Sequence, residues 1–62
     1  MKNEIIILIQ EMNINENTKI TYDLSVKLKQ IRENCNNEEE LKKWYNLRNG
    51  RDTIKTMLEY IK

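Results

Sequence analysis

The stretch Ile20–Cys35, ITYDLSVKLKQIRENC, carries two incompatible patterns, and the choice between them sets the fold class. Ile20, Tyr22, Leu24, Val26 and Leu28 alternate with Thr21, Asp23, Ser25 and Lys27, the period of a half-buried strand. Ile20, Leu24, Leu28, Ile31 and Cys35 also fall within roughly 80° of one another on a helix of about 3.6 residues per turn. Length arbitrates. The helical pattern runs on to Cys35, and Lys27–Glu33 holds good helix formers. The spacing predicts a helix from about Thr21 or Asp23 to Asn34, with Tyr22 and Val26 partly exposed and Cys35 on the apolar face. The alternative is a β-hairpin of residues 4–12 with 19–27, packed under C-terminal helices.

Downstream, Asn37–Lys62 reads NEEELKKWYNLRNGRDTIKTMLEYIK. Asn37 is placed to cap a helix, with Glu40 where a capping box puts its acid and Glu38, Glu39 and Glu40 at the positive end of the dipole. Glu38–Lys42 and Glu39–Lys43 have the spacing of supporting ion pairs, and Leu41, Trp44, Tyr45 and Leu47 are the apolar members. Gly50, the only glycine, follows Arg48-Asn49 and suits the left-handed position just past a helix end. Asp52 or Thr53 then caps a second helix, in which Ile54, Met57, Leu58 and Ile61 share a face. The rival is one continuous helix through Gly50, at a cost of about 1 kcal/mol.

Upstream, residues 2–13 read either way. As a helix, Asn3 caps it and Ile5, Leu8, Ile9 and Met12 make a stripe with Ile6 alongside; as a strand, Ile5-Ile6-Ile7 is buried on both faces. Asn13–Thr18 is a loop around Ile14. The expected fold is one all-α domain over residues 1–62, a compact bundle of three or four short helices. The α+β hairpin arrangement is the alternative.

Composition narrows function by subtraction. The chain has no His, no Pro and one Cys, so imidazole catalysis, an internal disulfide and the usual metal-ligand sets lack their residues. No enzyme, metal or cofactor is expected, and Cys35 reads as a structural thiol. The lone Cys suggests a reducing cytoplasm, and no apolar run approaches membrane-spanning length. A core this small is marginal alone, so a partner surface or self-association is expected.

The net charge is only +1, yet residues 42–62 carry six Lys or Arg against two acids. There Lys42, Lys43, Trp44, Tyr45, Arg48, Arg51 and Lys55 bring cations beside aromatics, as protein–protein hot spots do. The expected function is a small regulator or inhibitor that occludes a protein partner through this face. Nucleic-acid binding through the same cations is the second candidate. A self-assembling module joined along Ile54, Met57, Leu58 and Ile61 is the third.

Overall fold

The computed structural model describes the whole chain, Met1–Lys62. Four helices follow one another: α1 (Lys2–Met12), α2 (Tyr22–Glu33), α3 (Glu38–Tyr45) and α4 (Gly50–Glu59). There is no strand, so the helical reading of Ile20–Cys35 holds and the hairpin is excluded. α4 packs on both α1 and α3, and α1 also packs on α2. The radius of gyration is 10.6 Å, which matches the value of about 10.6 Å expected for an independent domain of this length.

Each helix start has a local cause. Thr21 stands in extended backbone and its Oγ1 accepts from Leu24 N at 3.2 Å, which opens α2 one residue after the expected cap region begins. Asn37 Oδ1 accepts from Glu39 N at 3.0 Å and Glu40 N at 3.2 Å, capping α3 as its spacing predicts. α1 differs: Asn3 lies inside the helix, Met1 precedes it with no side-chain cap, and the terminal amine sits 3.1 Å from Glu4. A carboxylate in the first turn there favours the dipole.

The loop after α1 is set by Asn13, the one residue in the left-handed region, at φ 52° and ψ 48°. That conformation lets Ile14 N donate to Ile9 O at 3.0 Å, the long bond of a Schellman turn. Ile14 is thereby folded back into the core, where it is buried beside Ile9. Thr18 Oγ1 and Asn15 Oδ1 then accept from Asn15 N and Asn17 N, both at 2.8 Å, closing the tip of the loop.

The link between α3 and α4 corrects the expectation for Gly50. The chain does break into two helices, but α3 ends at Tyr45 and Gly50 opens α4. Its φ is not positive. Asn49 is the cap, extended at φ −155°, its Oδ1 accepting from Asp52 N at 3.0 Å; neither Asp52 nor Thr53 caps. What requires a glycine is space: a Cβ at Gly50 would lie 2.9 Å from Ile20 Cγ1. Ile20 is β-branched and packed on the core, so it cannot rotate away freely. Gly50→Ala should therefore destabilise by about 1 kcal/mol, because overpacking outweighs the gain in helix propensity. In an Ile20→Ala background the same change should become neutral or favourable. Paired urea melts of the four proteins check this, and equal effects in both backgrounds would remove Ile20 as the reason for the glycine.

Nine residues form the core: Ile5, Leu8, Ile9, Ile14, Leu24, Leu28, Trp44, Ile54 and Met57. Every helix contributes, as does the α1–α2 loop through Ile14. No polar or charged residue is buried.

Candidate functional site

α3 sets the candidate site, because its eight residues divide cleanly between core and surface. At about 100° per residue, Trp44 points roughly 100° away from Tyr45 and roughly 160° away from Lys42. Trp44 is accordingly 3% exposed and Tyr45 72% exposed. The expected face, with Trp44 and Arg48 side by side, does not exist. Trp44 belongs to the core and Arg48 to the surface of the link that follows.

Trp44 is instead the centre of a polar–aromatic clasp. Its ring stacks on Tyr60 at a centroid distance of 6.3 Å and an interplanar angle of 16°. Its Nε1 donates to the Tyr60 hydroxyl oxygen at 3.3 Å, and that hydroxyl donates in turn to Glu40 Oε2. Met1 Sδ lies 3.6 Å from the same oxygen. Glu40 is therefore drawn to Tyr60 and does not complete the capping box. Lys43 sits over the other side of the cluster, its Nζ 5.8 Å from the Tyr60 ring centroid, in the range of a cation–π contact. The expected pairs Glu38–Lys42 and Glu39–Lys43 do not close; the ion pairs present are Met1 amine–Glu4 and Lys27–Asp23. Burial first, then the Glu40 carboxylate, push the Tyr60 hydroxyl up to about 12.

Tyr45 meets different neighbours. Tyr45 of α3 lines a shallow hollow of about 250 Å³ together with Lys29, Arg32 and Glu33 of α2. Lys42 lies on the same exposed stripe of α3, and Arg48 is exposed three positions beyond Tyr45. Tyr22, 86% exposed, lies seven positions from Lys29 on α2, and so on the same stripe of that helix. Lys29 and Arg32 were not among the residues the sequence singled out. Their proximity to Tyr45 is set by the tertiary arrangement of the chain, which no local spacing reports.

Arg51 and Lys55 go elsewhere. They line a hollow on α4 with Asn17, Lys62, Glu16 and Glu59, and Arg51 reaches a second one beside Lys19 and Gly50. Neither hollow includes Tyr45.

No protein-family model, no curated protein and no solved structure matches this chain.

The face expected to join two copies through α4 is also redrawn. Ile54 is 2% exposed and Met57 0%, both inside the chain's own core, and Leu58 is half-buried. Only Ile61, just past α4, is left outside. Cys35 departs from its expected place as well: it follows the end of α2, is half-buried, and its Sγ lies 3.8 Å from Asn37 O. No three His, Cys, Asp or Glu side chains converge as a metal site. No helix is long and apolar enough to cross a membrane.

Proposed function

We propose that this chain is a small cytoplasmic regulator without chemistry of its own, acting as an inhibitor by covering part of a protein partner. The contact face is centred on Tyr45, with Lys29, Arg32, Lys42 and Arg48 around it. The observation that supports this reading is a large aromatic ring left 72% exposed, in a hollow with two cations and one carboxylate, Lys29, Arg32 and Glu33, from α2. Tyr and Arg are enriched where interfaces concentrate their energy, because they bury much area and keep polar reach. Trp44 and Lys43 take no part except by holding α3 in place.

Nucleic acid is the weaker reading. Arg51 and Lys55 share their hollow with Lys62 but also with Glu16 and Glu59, so two carboxylates offset three cations and leave little net field for a phosphate backbone.

A Tyr45→Ala/Arg32→Glu double variant tests the face. It should keep the helical circular dichroism of the wild type and lose affinity for the captured partner by at least about thirtyfold. Raising salt from about 50 to about 200 mM should change the wild-type affinity far less than the roughly thousandfold or greater loss that many phosphate contacts give. Undiminished capture by the variant sinks the proposal. A steep salt slope would transfer it to nucleic acid.

A further inference from the structure

We infer, on the reading that Tyr45 marks the contact face, that the partner presents an acidic segment, carboxylates flanked by apolar side chains, laid along α2 from Tyr45 to Tyr22. These two rings are the most exposed of the large apolar and aromatic side chains, Tyr22 at 86% and Tyr45 at 72%. Both belong to the outer side of α2. Tyr22, Val26, Lys29 and Glu33 fall within about 60° of one another on that helix, on the other side from the buried Leu24 and Leu28. Tyr45 joins them through the hollow it shares with Lys29 and Glu33.

The free charge beside these rings is mostly of one sign. Asp23 and Lys27 close an ion pair on α2 at 3.4 Å and offer little to a partner. The other ion pair of the chain is Met1 amine–Glu4, so Lys29, Arg32, Lys42 and Arg48 are all free of carboxylates of their own chain. Two free acids share the outer stripes, Glu33 and Glu38, and each is the terminal residue of its helix. Four cations against two carboxylates leave a positive strip with an aromatic ring at either end. Lys29 lies seven positions from Tyr22, about 10 Å along the axis, a span that about three extended residues cover. Carboxylates in that interval meet Lys29 and Arg32, and apolar side chains on either side of them meet the rings. A few carboxylates of a polypeptide match so small a surplus, whereas the close, regular charge of a phosphate backbone calls for a denser field.

The probe is a blocked peptide of about twelve residues with Leu-Glu-Glu-Glu-Leu at its centre and Glu outside it, beside a control with Lys for every Glu. Titrated to about 1 mM against the full chain, the acidic peptide should shift the backbone amide resonances of α2 and of Tyr45. The basic control should bind at least about tenfold more weakly. Lys29→Glu, at an exposed position, should keep the helical circular dichroism and weaken the acidic peptide at least about fivefold. Tyr22→Ala should weaken it by a similar factor. No binding by about 1 mM, equal binding of the two peptides, or indifference to either substitution overturns the inference. So does displacement of the peptide by oligothymidylate, which would give the face to nucleic acid. A chain that loses its captured partner in Tyr45→Ala/Arg32→Glu and still ignores the acidic peptide keeps its contact face and refutes the acidic segment.

Discussion

Trp44→Ala will leave the chain largely unfolded at room temperature. Truncating a fully packed aromatic costs about 3–5 kcal/mol, and the Tyr60 stack adds about 0.5–1.5 kcal/mol. A domain of 62 residues holds only about 3–9 kcal/mol in all. The loss thus rivals the whole stability. Far-UV circular dichroism and a urea melt decide it: a cooperative transition within about 1 kcal/mol of the wild type would mean that Trp44 is not the anchor its burial makes it. The result has a practical side. Any binding lost in Trp44→Ala would report unfolding, which is why the contact face is better probed at Tyr45, whose ring the core does not use.

Tyr60→Phe should be the next most damaging conservative change. It removes one oxygen and leaves two groups without their partner, the Trp44 indole N–H and the Glu40 carboxylate. Stranding groups of this kind costs about 1–3 kcal/mol, with the lower part of the range expected because Glu40 retains access to water. The same hydroxyl gives a pH signature. Its proton is held to about 12 in the folded chain against an ordinary value of 10.0. Between those values the unfolded chain has released the proton and the folded chain has not, so stability falls as pH rises through that window. Below pH 10.0 the contribution is fully present. The Tyr60→Phe variant should lack this alkaline component, and parallel denaturant melts of both proteins across the window measure it. Identical slopes would show that the clasp does not protect the proton.

Much of the fold could be read locally because its signals are local. Asn37 caps α3 through an oxygen that reaches only the next turn, and the residue choices from Lys27 to Glu33 favour a helix whatever lies nearby. Gly50 differs for the opposite reason. A glycine near a helix end suits either a left-handed backbone or a crowded approach, and the approaching atom belongs to Ile20, distant in sequence. The site suffered more. Lys42, Lys43, Trp44 and Tyr45 are neighbours in the chain, but a helix fans consecutive residues around its axis. One of the four enters the core, one covers Tyr60, and two reach solvent on the outer stripe. Glu40 looked like a capping acid because nothing in its vicinity of sequence announced Tyr60. The α4 face was correctly identified as apolar, but pattern alone cannot say whether such a face meets its own chain or another.

The meeting of Met1 with Tyr60, across a sequence separation of 59 positions, bears on the order in which the molecule assembles. Bringing such remote segments together carries a large loop-closure entropy, the greatest of any side-chain hydrogen bond in the chain, whereas the capped turns of α2 and α3 form from adjacent residues. The Met1 contact is therefore expected to close late in folding, after the capped turns. Damage at Tyr60 should consequently appear as faster opening of the native molecule, with the rate of its formation nearly untouched.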